Sequence, residues 1–279
     1  MKIKYYGTAA AEGFPGMFCS CETCEKARKK GGKNIRTRSQ TVINDELMID
    51  FSADTYFHVL NYGLDLRKIK ACLITHGHDD HVYPFDFQYR GYGYSYFPEE
   101  KEKVPMQIYA TKSSFSEYLH LLEAIKKRDE KSIDFTEIVP FTTYEILGYK
   151  VTPLKADHDR KQDPVIYLIE KDNKTILYAH DTGYFLDETW EYLEKNEIKL
   201  NFVSLDCTSI LHEDAYTNHM GFKACCDVKE RLLKKNADEN TVFCLHHFSH
   251  NGLLIYDDLV PMAKKSGFEV SYDSAEFEF

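Results

Sequence analysis

The sequence predicts an α/β protein in which β-sheets are covered by helices on their outer faces. Short apolar runs of strand length alternate with helical stretches along the whole chain. Strands dominate the first half and interleave with helices in the second. Histidines and aspartates repeatedly stand directly after an apolar run, where sheets usually present their chemistry.

In chain order, residues 2–6 alternate polar and apolar side chains and read as an edge strand. Residues 41–49, 71–75 and 107–110 are rich in Val, Ile and Leu and read as further strands. Spacing of apolar positions predicts a helix over 113–127. Strands follow at 144–154, 165–170 and 175–180, and Asn173 marks a turn that makes the last two a hairpin. A helix over 186–194, a strand over 202–206, a helix over 222–235, a strand over 242–246, a helix over 256–265 and a strand over 269–272 complete the chain.

With 279 residues, 43% hydrophobic and 14% aromatic, the composition is that of a globular chain with a sizeable core. We expect one domain over 1–279, with a cysteine-rich loop near 13–38 and an aromatic loop near 85–105. The formal net charge of −10 disfavours a long nucleic-acid partner. No apolar run approaches membrane-spanning length and no signal segment opens the chain, so a cytoplasmic location is expected. The eight cysteines are then reduced thiols, serving as metal ligands or core residues.

The densest chemistry is His76-Gly77-His78-Asp79-Asp80-His81, directly after 71–75. Four ligand-type side chains in six residues cannot all leave one side of a regular element, but a loop can aim them at two neighbouring points. That suits two metal ions about 3.5–4 Å apart. His158, Asp181 and His247 each follow another predicted strand, so strands lying side by side would gather all of them at one rim. His246 precedes His247, but successive strand side chains face opposite ways, so only one should reach such a site. Nitrogen and carboxylate donors suit zinc, manganese or iron.

Cys19-Ser-Cys21-Glu-Thr-Cys24 is a second cluster, and His250, three residues beyond His247, could complete a closed tetrahedral zinc site with it. Cys72, Cys207, Cys225, Cys226 and Cys244 fall in predicted strands or helices and read as core.

The pattern HxHxDH, then a lone His, a lone Asp and a final His resembles the metallo-β-lactamase superfamily. The resemblance implies an αββα sandwich of two mixed sheets with helices outside. It assigns His76, His78 and His158 to one metal, Asp80, His81 and His247 to a second, and Asp181 as the bridge, leaving Asp79 solvated or behind the ligands. Residues 7–40, with Gly7-Thr-Ala-Ala-Ala-Glu-Gly-Phe-Pro15, the cysteines and Arg36-Thr-Arg38-Ser39, look like the PhnP-type phosphodiesterase branch. That branch carries a Cys₃His zinc besides its dinuclear site, and its named member opens phosphoribosyl 1,2-cyclic phosphate. The resemblance also suggests manganese or zinc in the dinuclear site and a homodimer. It does not extend through the middle of the chain, roughly 85–135.

The expected activity is therefore hydrolysis of a small, cyclic or otherwise strained, phosphodiester by hydroxide held between two metals. His219, in Asn218-His-Met-Gly221, falls where the branch has a non-ligand active-site histidine, as general acid or phosphate contact. Asp80 could also orient the nucleophile, and Asp206 at another strand end could support the ligands from behind. Phe85, Phe87, Tyr89, Tyr92, Tyr94, Tyr96 and Phe97 would form either a lid that stacks on substrate or ordinary packing. Thioester or lactone hydrolysis, or an oxidative role in quinone-cofactor biosynthesis like that of PqqB, are the alternatives. A flavin-partnered di-iron enzyme would carry Glu in place of His78.

Overall fold

The computed structural model describes residues 1–91, 93–97, 103–159 and 161–279. Tyr92 and part of the expected aromatic loop, 98–102, lie outside the described residues.

Two seven-stranded sheets stack face to face among the described residues. The first is built from β1 (Lys2–Gly7), β2 (Gln40–Ile43), β3 (Leu47–Ile49), β4 (Ala71–Leu73), β5 (Met106–Ala110) and β6 (Ile133–Glu137). The second holds β7 (Tyr144–Ile146), β8 (Tyr149–Lys155), β9 (Val165–Lys171), β10 (Lys174–Ala179), β11 (Phe202–Asp206), β12 (Val242–His246) and β13 (Glu269–Val270). The last strand, β14 (Glu276–Glu278), returns to the first sheet beside β1. β1 is therefore not the edge strand its position suggested; β14 shields it, and the N-terminal amine donates to the Phe279 carbonyl at 2.9 Å.

Side-chain alternation explains the layering. In β10, Ile176 and Tyr178 face the inter-sheet core with Ile3, Tyr5, Leu73 and Tyr167. Leu177 and Ala179 face the opposite way, towards an outer core shared with α5 (Asp187–Lys195), α6 (Phe222–Leu233) and α7 (Tyr256–Lys265). The other outer face, with Met48, Cys72 and Ile108, is covered by α4 (Leu119–Arg128) and the 3-10 helix Pro84–Arg90. The result is the αββα sandwich the sequence led us to expect.

Two expected strands are hairpins instead. Residues 41–49 split at Asn44 and Asp45, and 144–154 split at Leu147-Gly148; all four residues have φ between 47° and 77°. The Asp172-Asn173 turn has the same left-handed backbone and closes β9 onto β10, as Asn173 indicated. The expected helix 113–127 is broken into α3 (Lys112–Ser116) and α4, while α1 (Glu22–Lys30) and α2 (Thr55–Tyr62) are additional. No helix among the described residues is long and apolar enough to cross a membrane.

Candidate metal centre and its surroundings

The candidate ligands lie at one end of the sandwich and come from both sheets. His76 to His81 leave the end of β4 in the first sheet. His158, Asp181 and His247 follow β8, β10 and β12. Those three strands are not side by side, as expected, but alternate with β9 and β11. The loop after β4 is pinned by a parallel bridge between Phe51 and Val82. Asp50, Asp181 and His247, each just past a strand, have φ of 62°, 53° and 59°. This left-handed step, unfavourable for a side chain with a Cβ, ends the strand and swings the residue out of its alternation. It also separates the adjacent histidines. His246 stays between the sheets, stacked on His180 at 4.0 Å, while His247 turns to the cluster.

Each cluster histidine has its outward nitrogen engaged. His81 Nδ1 donates to Asp50 Oδ2 at 2.7 Å, and Asp50 is itself fixed by the Thr75 amide at 2.8 Å. The Thr208 hydroxyl donates to the His247 carbonyl at 2.7 Å, so it accepts from His247 Nδ1 at 2.9 Å. His158 Nδ1 donates to the Asn218 carbonyl at 3.1 Å. His76 Nδ1 lies 3.1 Å from the Thr75 hydroxyl, and His78 Nε2 lies 3.3 Å from Asp159 Oδ2. With the outward nitrogens carrying the hydrogens, the inward ones present lone pairs to each other. His76 Nε2 and His78 Nδ1 are 2.9 Å apart, and His158 Nε2 is 3.4 Å from the same His78 atom.

On the other side, Asp181 Oδ2 sits 2.7 Å from His81 Nε2 and 3.1 Å from His247 Nε2. Its Oδ1 is 3.8 Å from His158 Nε2, so the carboxylate spans the two groups. Asp80 Oδ2 is 3.2 Å from His81 Nε2, while Asp79 is exposed. His81 Nε2, His247 Nε2 and Asp181 Oδ2 are buried without a hydrogen-bond partner. Converging, unpartnered lone pairs of this kind fit divalent cations. The donors fall into groups that could hold a metal ion: His76, His78 and His158; His76, His81 and Asp181; Asp80, His81 and His247; and Asp181, Asp206, His219 and His247.

Burial pushes the His76 imidazole well below its ordinary pKa, keeping it neutral. Burial would raise Asp181 and lower His81, but their mutual attraction prevails. With His247, His81 holds the carboxylate well below the usual range. The carboxylates of Asp181, Asp80 and Asp50 lift His81 well above its own, so a cation bound there would displace the His81 Nε2 proton. Beside the cluster, His219 Nδ1 donates to Asp206 Oδ2 at 2.9 Å. Burial opposes protonation of His219, yet the Asp206 carboxylate prevails and lifts it to about 9. Asp206 is itself set by the amides of Thr208 and Met220 on Oδ1, at 3.0 and 3.2 Å. Asp50, Asp159 and Thr208 were not singled out from the sequence. Asp50 obeyed the same rule as the ligands, an acid closing an apolar run; the other two carry no pattern.

Cys19, Cys21, Cys24 and His250 form a separate group that could hold a metal ion. His250 Nδ1 is 3.6 Å from Cys19 Sγ and 3.5 Å from Cys21 Sγ. Amides of Cys21, Cys24 and Gly16 donate to the three sulfurs, as thiolates require. Cys72, Cys207, Cys225 and Cys244 are buried core residues and Cys226 is half-buried. Of the aromatic segment, Phe87 is buried on Phe51 at 4.3 Å, while Phe85 and Tyr89 are exposed.

A family profile described as a beta-lactamase superfamily domain matches residues 48–237. The chain belongs to the beta-lactamase superfamily. Solved structures with the same fold include a diphosphatase of the PhnP family, at 19% identity and TM-score 0.75, covering 100% of this chain and 98% of that one. Zinc-bound PqqB from Methylobacterium extorquens matches at 17% identity and TM-score 0.75, over 100% of both chains. The short form of human tRNase Z matches at 14% identity and TM-score 0.65, covering 100% of this chain and 99% of that chain. No curated protein sequence matches the chain.

Proposed function

We propose that the protein is a metal-dependent phosphodiesterase acting on a small, cyclic or otherwise strained, phosphodiester. Membership of the superfamily supports a metallo-hydrolase; the observation that carries the finer reading is the Asp206–His219 pair beside the metal cluster. His76, His78 and His158 would hold one divalent cation and Asp80, His81 and His247 another, with Asp181 between them. Cys19, Cys21, Cys24 and His250 would hold a structural zinc. Manganese, zinc or iron in the first two positions would supply a water of lowered pKa and offset charge on the phosphoryl oxygens.

The chain's own residues supply the rest. Asp206 takes the Nδ1 hydrogen of His219 and leaves Nε2 as the working nitrogen. Against burial, the same carboxylate favours the protonated ring. His219 can therefore give a proton to a departing alkoxide, or contact a phosphoryl oxygen. Thioester hydrolysis, which expels a weakly basic thiolate, has less need of such a donor. A PqqB-like role in cofactor biosynthesis is the second reading, favoured by the match along the full length of that protein.

Bis(p-nitrophenyl) phosphate hydrolysis by metal-stripped protein reloaded with manganese or zinc tests this. Turnover should return on loading. In His219→Ala at unchanged metal content it should fall by roughly 10²–10⁴-fold for a dialkyl phosphodiester, whose alkoxide needs a proton, and far less for the p-nitrophenyl ester. A fully loaded protein that leaves phosphodiesters intact but cleaves a thioester or lactone would overturn the phosphodiester reading.

A further inference from the structure

A hydrogen-bond chain away from the metal cluster runs through buried Thr8, Asp273, His58 and Gln40 and half-buried Thr37. Its ends have fixed polarity. Gln40 Nε2 donates to the Asp50 carbonyl at 3.2 Å and to Thr55 Oγ1 at 2.8 Å, while Thr55 Oγ1 donates to the Ser52 carbonyl at 2.6 Å. The amide oxygen Oε1 therefore faces His58 Nδ1, 2.6 Å away, and that nitrogen carries the hydrogen. At the other end Arg36 Nη1 donates to Thr8 Oγ1 at 2.8 Å, so Thr8 donates onward to Asp273 Oδ1 at 2.7 Å. The Thr37 amide donates to Asp273 Oδ2 at 2.7 Å.

Between these ends, Thr37 Oγ1 lies 2.7 Å from His58 Nε2 and 2.7 Å from Asp273 Oδ2. One hydroxyl hydrogen cannot serve both contacts. A neutral imidazole with an ionised carboxylate would set two lone pairs against each other at one of them. The chain is short of one proton.

We propose that Asp273 takes up this proton, as a carboxylic acid donating to Thr37, and that the chain is a proton-operated latch. Closed, it joins α2, which carries His58, to the 36–38 loop and the C-terminal segment; through Gln40 it also reaches the Asp50 carbonyl behind His81. The other possible holder is His58, and burial argues against it. Burial drives His58 down to about 4 and raises Asp273 to about 6. Arg36, buried against the Phe248 ring at 4.1 Å, faces Asp273 and favours its ionised form. Asp54 faces His58 and favours the imidazolium. The Tyr6 and Tyr62 rings flank His58 at 6.2 and 6.1 Å. Neither charge reverses the effect of burial.

An aspartate raised in the folded state favours folding below its ordinary pKa, and this is lost as pH rises through the folded value. The latch is therefore closed in mild acid and opens as pH rises through about 6.

Carboxyl-carbon and imidazole-nitrogen NMR of the whole chain, from about pH 4.5 to 8, tests this across the His58 and Asp273 range. Asp273 should titrate near 6 while His58 stays neutral and protonated on Nδ1 throughout. In His58→Phe the Thr37 hydrogen is free for the carboxylate, so the Asp273 midpoint should fall by about one unit or more. Thr37→Ser, which keeps the hydroxyl, should leave it in place. An imidazolium at His58, an Asp273 ionised at pH near 5, or a midpoint unmoved by His58→Phe in folded protein would each overturn the latch. The wild-type measurement decides the matter even where the Phe variant does not fold.

Discussion

At the scale of single residues, the centre depends on groups that never face its interior. Asp50 is the clearest case: fully buried, left-handed in backbone, and spent on holding His81 Nδ1 and the Thr75 amide and hydroxyl. Replacing it with Ala leaves His81 free to rotate or to change tautomer. Cation affinity at the Asp80, His81 and His247 group should drop about 10–100-fold, and that of the His76, His78 and His158 group less, through the Thr75 hydroxyl that Asp50 holds beside His76. Competitive titration with a chromogenic chelator separates the two, and equal weakening of both would contradict this assignment of roles. Asp206→Asn should cost turnover chiefly through His219, although the same Oδ2 also accepts from the Asp181 amide at 3.1 Å. Turnover at matched metal content is the measurement, and an unchanged rate would remove Asp206 from the machinery. The ligand types were legible in the sequence because HxHxDH packs several donors into a few residues, a pattern with few alternative explanations. Thr208 and Asp159 were not, because a threonine hydroxyl or an aspartate in a loop looks the same whether or not it holds a histidine.

At the scale of elements, the segment after β12 deserves its own test because it serves both clusters. His247 and His250 sit within one turn, and between them the Phe248 amide donates to the Thr8 carbonyl at 2.9 Å. The Phe248 carbonyl accepts from the Ala10 amide at 3.0 Å. Losing the cysteine anchor should therefore loosen His247. Cys21→Ser is expected to lose the structural ion and also to weaken cation binding at the second active-site group. Metal counting by mass spectrometry under native conditions would show it, and full retention there would mean the Thr8–Ala10 clamp suffices alone. The 3-10 helix Pro84–Arg90 offers a contrast. Phe87 is 2% exposed against Phe51, whereas Phe85 is 49% exposed. Phe87→Ala should cost about 3–5 kcal/mol of stability. Phe85→Ala should cost little stability, and only a loss of turnover there would speak for a lid. Element boundaries were legible where apolar runs were long and uninterrupted, as in β11 and β12. They failed at Asn44-Asp45 and Leu147-Gly148, where a two-residue turn breaks a strand-like run so briefly that the Asn-Asp and Gly signals are easily passed over. β14 was missed because Glu276 and Glu278 leave only Phe277 to mark a strand, and its pairing with β1 comes from the distant N-terminus.

At the scale of the whole molecule, sheets covered by helices were legible from apolar runs interleaved with helical stretches, and the two-sheet sandwich from the resemblance that HxHxDH and the later His, Asp and His carry. Which sheet each ligand strand belongs to was not legible. Non-local pairing decides it, and the apolar run of β4 looks no different from that of β12. That missing fact has a mechanical consequence. The His76–His81 loop hangs from the first sheet, while His158, Asp181 and His247 hang from the second. Asp181 Oδ2 meets His81 Nε2 at 2.7 Å across that divide. Cations held by these donors would cross-link the two layers at one end, so binding should stabilise the fold as a unit. Without them, the ligand atoms His81 Nε2, His247 Nε2 and Asp181 Oδ2 remain crowded in a buried place without well-made hydrogen bonds. At a free metal concentration about 100 times the dissociation constant, binding adds about 2.7 kcal/mol. Stripping the metals should therefore lower the melting temperature by several degrees and reduce amide-exchange protection in the central strands of both sheets together. If protection instead fell only in the loops at the cluster, the ions would be guests of a site already rigid, and the cross-linking role would be wrong.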